Sequence, residues 1–465
     1  MKAAFKPGLA LLAAAVLSAC SLTPTYERPP APVAPAFPDA AAGSGTPAAE
    51  RAWADFLADA RLRALVEIAL QNNRDLRIAV LNVEQTRAQY GVQRADRLPS
   101  VGVGVSGSRA PGTTGGIAST YSAGLSVSAF ELDLFGRVRS LSEAALARYL
   151  ASDEGRRSAQ MTLIAAVANA ELALRADDEL LQVTQRTLAS REEGLKLTRV
   201  RFDAGAAAEP ELRNAESLIA AARVSVIALQ RQRSQDQNAL VLLLGQPLPA
   251  TLPAAPSLDA LGFAELPAGL PSDVLLQRPD VRQAEQTLIA ANANIGAARA
   301  AFFPRITLTG SAGFASNHLS SLFDNTAWTF APQLLQPLFD AGRNQSNLEA
   351  TKAAREIAVA QYEKAIQVAF REVADALAGR ATLNDQLVAQ QAQAAAETRR
   401  LALADLLFKG GAASQLDLLD AERSSLAARQ AVVQLQLAKA QNAVLLYRVL
   451  GGGAGPATVA TAQPK

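Results

Sequence analysis

The 465-residue chain carries 45 Lys and Arg against 43 Asp and Glu, and 49% of its residues are hydrophobic. That balance supplies no pull toward nucleic acid or an anionic surface. One Cys and one His exclude the Cys/His zinc patterns within a chain, and no Gly-x-x-x-x-Gly-Lys-Ser/Thr run is present to hold a nucleotide.

Residues 1–19 read as a secretory signal. Lys2 and Lys6 form a basic start, Leu9 to Leu17 a short apolar core, and Ser18-Ala19 a small-residue cleavage site. Leu17-Ser18-Ala19-Cys20 resembles a bacterial lipobox, which makes Cys20 the predicted lipidation site and the first residue of the mature chain. Several acyl chains on one residue would hold it firmly to a membrane. Residues 20–50, rich in Pro and Ala, read as an extended tether. Beyond the signal no stretch of about 18–20 apolar residues offers a membrane-spanning helix.

The rest is written twice, in repeats expected at 51–250 and 251–450. Phe202-Asp203-Ala204-Gly205, then Ala215-Glu216, returns as Phe408-Lys409-Gly410-Gly411, then Ala421-Glu422. Leu134-Phe135-Gly136-Arg137 returns as Leu338-Phe339-Asp340-Ala341-Gly342-Arg343, and Pro99 as Pro304. The offset is close to 206 residues throughout, too long for a solenoid repeat of about 20–50. Each half has the same order: helix, β-type run, loop, β-type run, very long helix, Gly-bearing break, long helix.

The β-type runs alternate. Val101, Val103 and Val105 are interleaved with Gly102, Gly104 and Ser106; Tyr121, Ala123, Leu125, Val127 and Ala129 with Ser122, Gly124, Ser126 and Ser128. Ile306, Leu308, Gly310, Ala312 and Phe314 alternate with Thr307, Thr309, Ser311 and Gly313, and a less regular run near 326–335 carries Trp328 and Phe330. Runs of about ten residues, apolar on one side and small or polar on the other, are the pattern of a membrane β-barrel. A soluble sheet backed by helices on one side would show it too. Four strands cannot close a barrel, and open edges are not viable in lipid, so the barrel reading requires several copies; three would supply 12 strands.

Residues 141–200 and 345–409 contain no proline and are dominated by strong helix formers. Leu163, Val167, Ala170 and Leu174 form an apolar stripe at helical spacing. Pro210 suits the first turn of a new helix, so the Gly205 and Gly411 regions read as helix-to-helix reversals. Residues 451–465, opening with Gly-Gly-Gly, read as a disordered tail. His318 lies in a Ser/Asn loop, the ordinary place for a solvated histidine. No enzyme, metal or cofactor is indicated.

The lipobox, the duplicated helix–strand–strand–helix plan, Leu-Phe-Asp-x-Gly-Arg at 338–343 and Leu418-Leu419-Asp420-Ala421-Glu422-Arg423 resemble the TolC-like outer membrane efflux family, in its lipidated OprM-type branch. The resemblance implies a mainly α fold with a membrane β-barrel: a homotrimer with a 12-stranded barrel in outer membrane lipid and a long periplasmic α-helical barrel. It also implies a passive exit duct for small molecules, served by an inner-membrane pump of the resistance-nodulation-division type through a periplasmic adaptor protein. A protein-secretion duct and a non-conducting helical scaffold are the alternatives.

In such a trimer Leu416, Asp417 and Asp420 match the positions that narrow the periplasmic tip. Asp417 and Asp420 share one helix face, and rings of charge or apolar side chains are ordinary gating devices. Aspartate early in a helix also simply stabilises it, by about 0.3–1 kcal/mol. The family's latch maps to Glu211, Phe408, Lys409 and Arg423. Here Phe408 stands where relatives have Tyr and lacks its hydroxyl, while Lys409 replaces an Arg and loses bidentate pairing; the departure leaves a Lys409–Glu211 contact or a looser, differently arranged latch as the alternatives.

Overall fold

The computed structural model describes residues 22–38, 48–111, 116–266 and 272–454; Cys20 and residues 455–465 lie outside them. Helices α1 (Ala60–Asn72) and α2 (Arg74–Ala95) lead into strands β1 (Val101–Pro111) and β2 (Ile117–Glu131), then helices α3 (Arg137–Asp203) and α4 (Glu209–Leu244). The order returns as α5 (Pro279–Ala300), β3 (Arg305–Ser316), β4 (Thr326–Leu335), α6 (Arg343–Lys409) and α7 (Gln415–Val449). Helices α3 and α6 each run 67 residues without a break, about 100 Å at 1.5 Å per residue. Among the described residues no helix is long and apolar enough to cross a membrane.

The chain divides into two compact units, each built from both repeats. The first takes residues up to 32, 80–155 and 280–365. Its strands form one antiparallel sheet in the order β1-β2-β3-β4. Register places the apolar alternates together: Val103 opposite Leu125, Leu125 opposite Ala312, and Ala312 opposite Trp328. The other face is small and polar, tied by Ser106–Ser122 and Ser311–Thr329 hydroxyl pairs at 2.7 Å. Val103 and Trp328 are 81% and 78% exposed, an apolar face that none of the described residues covers.

The alternation expected through Ala129 stops at Val127. A bulge lies between Val127 and Phe130, Ala129 adopts a φ of 51°, and its amide donates to the Thr309 hydroxyl at 3.1 Å. The extra residue shifts the pleat, so Phe130 pairs with Leu308 in place of Ala129. Below the sheet, Glu131 holds Arg137 through both oxygens at 2.7 Å and Arg305 at 2.6 Å, pinning the strand ends to the start of α3. Small residues then let α3 and α5 approach closely: Ala144 and Ala147 pack on Ala290 and Ala293.

The N-terminal segment is extended, as expected of a tether, yet it is also docked. Arg28 and Tyr26 converge on the buried Glu285 of α5, Arg28 at 2.7 and 3.1 Å and Tyr26 at 3.0 Å. Asn292 donates to the Pro24 carbonyl at 2.7 Å and Arg299 to the Leu22 carbonyl at 3.1 Å. Glu285 is the acceptor of the three side-chain bonds from Tyr26 and Arg28, and without it the segment keeps only weaker ties such as the Thr23–Ser140 hydroxyl pair at 2.9 Å and the two carbonyl bonds. Glu285→Leu is therefore expected to expose residues 22–32 to limited proteolysis with the sheet intact; wild-type resistance in the variant would refute this.

The second unit takes 33–79, 156–279 and the chain from 366. Leu163, Val167 and Leu174 of the predicted stripe are buried, Ala170 half-buried. Tyr447 stacks on Phe56 at 4.1 Å, and Phe56 on Phe263 at 5.5 Å. The triglycine predicted to begin a loose tail is instead packed at the end of α7. The Gly452 amide donates to the Tyr447 carbonyl at 2.9 Å, Gln160 donates to the Gly453 carbonyl at 3.1 Å, and a Cβ on Gly452 would sit 2.3 Å from the Tyr447 ring. Only glycine fits that approach.

Asp177 of α3 and Asp236 of α4 are neighbouring carboxyls on facing helices. Burial, then the Asp236 carboxylate, push Asp177 up to about 7 from 3.8. The folded chain thus holds a proton that the unfolded chain releases, so this contribution is complete below pH 3.8 and is lost as pH rises through about 7. Thermal stability is expected to fall from pH 5 to 8 in the wild type and less steeply in Asp177→Asn. Parallel curves would remove Asp177 as the cause.

Candidate gate at the helix reversals

Both reversals end a long helix in the same way. Gly205 and Gly411 have φ of 71° and 73°, the left-handed conformation that glycine adopts without a Cβ penalty. The Ala206 amide donates back to the Arg201 carbonyl at 2.7 Å, and the Ala412 amide to Leu407 at 2.8 Å. With the Gly205–Phe202 and Gly411–Phe408 bonds at 2.9 and 3.0 Å, each is a Schellman cap. The helices that leave them differ. Helix α4 starts after Ala208 without a side-chain cap, with Pro210 in its first turn; α7 starts at Ser414 with a full capping box.

Asp417 belongs to that box. Its amide donates to the Ser414 hydroxyl at 3.2 Å, and its carboxylate accepts from the Ser414 hydroxyl at 2.7 Å and amide at 3.1 Å. These bonds hold its carboxyl below the usual carboxylate range, and the stabilising role of an early helical aspartate is the one the geometry displays. Asp420 pairs across the hairpin with Arg400 of α6, which also holds Glu397 at 3.2 Å. Leu416 is 67% exposed and free to project from the tip.

Within the chain Lys409 takes a partner other than Glu211. Lys409 bonds Asp405, one turn back on its own helix, at 2.7 Å, because its flexible point charge finds the nearer acid. Glu211 lies in the first turn of α4. Phe408 accepts the Arg201 guanidinium over its ring at 5.5 Å, a cation–π contact in place of a hydroxyl hydrogen bond. Arg423 is exposed. Its neighbour Glu422 turns inward to Arg191 of α3 at 3.6 Å, and burial pushes the Glu422 carboxyl up against the pull of that arginine.

Arg400, Ser414, Arg201 and Arg191 were not singled out by the sequence. Arg400 carried a usable signal, since it and Asp420 stand equally far from Gly410 on the two arms of an antiparallel hairpin. A cleft of about 510 Å³ opens between the two hairpins, walled by Leu197, Leu218, Leu401, Leu418 and Phe408, with Lys409 on its rim. Among the described residues no group of three or more His, Cys, Asp and Glu could hold a metal.

The outer membrane efflux protein family model matches residues 65–246 and 270–452. The toluene efflux pump outer membrane protein TtgC of Pseudomonas putida is 46% identical over 452 residues, covering 94% of this chain and 93% of TtgC. OprJ of Pseudomonas aeruginosa is 44% identical over 455 residues, 96% of this chain and 95% of OprJ. The open-state crystal structure of the Neisseria gonorrhoeae MtrE channel superposes with a TM-score of 0.87 at 43% identity, covering 94% of this chain and 99% of MtrE. With its doubled helix–strand plan, four-stranded sheet and capped reversals, the chain is a member of the outer membrane efflux protein family.

Proposed function

We propose that this chain is the passive outer membrane exit duct of a tripartite efflux system, exporting small molecules delivered by an inner-membrane pump of the resistance-nodulation-division type through a periplasmic adaptor. The observation that carries the reading is the uncovered apolar sheet face with two unpaired edges, β1 and β4. Such a sheet is stable in lipid only when closed with further strands. Three copies give 12, an even number within the usual range of about 8–26. The open-channel relative MtrE and the efflux-pump relatives TtgC and OprJ support it.

In the trimer the three α6–α7 reversals converge, Leu416 narrows the opening, and Asp420 lines it, clasped by Arg400. Asp417 caps the helix beneath. Arg201 on Phe408 takes the place of the conventional latch, with Glu211, Lys409 and Arg423 available to neighbouring copies. Cys20, two residues before the docked Leu22, carries the lipid. No energy-coupling site is required in a duct whose driving force is the pump's. Single-channel recording in a planar bilayer tests the reading: a small, mostly closed current is expected from the purified trimer. Reproducible insertion with no current under any condition would overturn it.

A further inference from the structure

Between Arg97 and Glu131 the sequence carries a single charge, Arg109 near the end of β1. Register puts it on the apolar face, opposite Ser119, one step beyond the Gly107–Tyr121 pair and in line with Val101, Val103 and Val105. An arginine on a lipid-facing strand is costly at mid-membrane and nearly free at the boundary. Its height places it at the boundary. Glu131, holding Arg137 and Arg305, marks the charged foot of the sheet. Along β2, Tyr121 stands ten residues from Glu131 and Ser119, the partner of Arg109, twelve. At about 3.4 Å per residue and a tilt of about 40°, these are about 25 and 30 Å along a barrel axis, against an apolar band of about 25 Å. Tyr121 thus stands at the edge of the hydrocarbon, where aromatic rings gather, and Arg109 in the headgroup layer beyond it.

The tether says which leaflet this is. Arg299, in the last turn of α5 and six residues before Arg305 opens β3, holds the Leu22 carbonyl at 3.1 Å. A lipid on Cys20 would enter the membrane at the foot of the sheet, from the periplasmic side, so the hairpin ends reach the outer leaflet. We infer that Arg109 and Tyr121 form a headgroup site for a phosphorylated glycolipid of the outer leaflet, with the guanidinium on a phosphate and the ring on a sugar. This rests on the barrel reading above. Arg109 is exposed, and its planar fork matches phosphate oxygens two at a time. The Tyr121 ring lies over Gly107, where a Cβ would come within 3.1 Å of it. Its outer face is then a platform for the C–H face of a sugar ring, which a phospholipid headgroup lacks. Ser119 adds a hydroxyl beside the arginine.

Native mass spectrometry of the delipidated full-length protein, titrated with bis-phosphorylated lipid A, tests this. One lipid per protomer is expected. Arg109→Gln is expected to weaken binding about tenfold, the loss of a charge-assisted bond, and removal of both phosphates from the lipid to weaken it as much. Tyr121→Ala is expected to weaken lipid A several-fold and leave phosphatidylglycerol unchanged, while Tyr121→Phe keeps wild-type affinity. Equal affinity in wild type and Arg109→Gln, or for lipid A with and without phosphates, overturns the site. Phosphatidylglycerol bound as tightly as lipid A overturns the glycolipid assignment. Single-channel currents from the same wild-type preparation separate the two readings. Current without phosphate-dependent binding removes the headgroup site alone; neither trimer nor current removes the duct reading with it.

Discussion

Asp420→Ala is expected to raise single-channel conductance and antibiotic leakage. The Arg400–Asp420 pair is about half-exposed on both sides, so its loss costs the fold little, since exposed ion pairs gain little over water and are screened by salt. A closed state resting on three copies of that pair is more sensitive. Each copy loses its clasp, and the three losses act on one opening. Asp420 can act as one of a ring of carboxylates, or as the clasp holding α7 against α6. Asp420→Arg combined with Arg400→Asp keeps the clasp and inverts the ring. Wild-type closure in that double variant assigns the role to the clasp; a leak like that of Asp420→Ala assigns it to the ring. Unchanged conductance in Asp420→Ala removes this residue from the gate.

What the sequence revealed and what it hid divide along the range of the interactions. Helices α3 and α6 and their glycine stops were legible because propensity, the absence of proline and a repeated Gly act within a turn or two of the chain. The strand pleat was legible for the same reason up to Val127. It failed at Ala129, because the bulge is set by the Thr309 hydroxyl on the neighbouring strand. Gly451–Gly453 looked like a tail until Tyr447 and Gln160 closed on it, and Arg28 has no local feature announcing Glu285. At the tip, Asp417 was visible both as a channel-facing acid and as a helix cap. Ser414 three residues before it is the local signal of the cap that the fold displays. The replaced latch residues Phe408 and Lys409 were visible from resemblance; their actual partners, Arg201 and Asp405, required the fold.

Glu171→Leu is expected to be the most destabilising single change. Glu171 of α3 is 1% exposed and accepts from Arg61 at 2.6 Å and Arg175 at 3.1 Å; Arg175, 4% exposed, also reaches Asp59 at 3.2 Å. Asp59 in turn caps α1 through the Leu62 amide at 2.8 Å. One carboxylate therefore neutralises two cations and joins the start of α1 to α3. Leucine matches much of the volume, so the loss is electrostatic: among the described residues Arg175 keeps Asp59 at 3.2 Å, and Arg61 keeps the Pro253 carbonyl at 3.1 Å. Removing one partner of a buried pair costs about 3–5 kcal/mol, set against the roughly 5–15 kcal/mol that hold a folded domain together. The expected readout is a much lower thermal transition in detergent and a large drop in properly assembled protein. Arg175→Met together with Glu171→Leu removes both buried charges and is expected to recover part of the loss, because no unpaired cation remains in the core. A double variant less stable than Glu171→Leu alone would show that the network contributes through its bonds rather than through charge compensation.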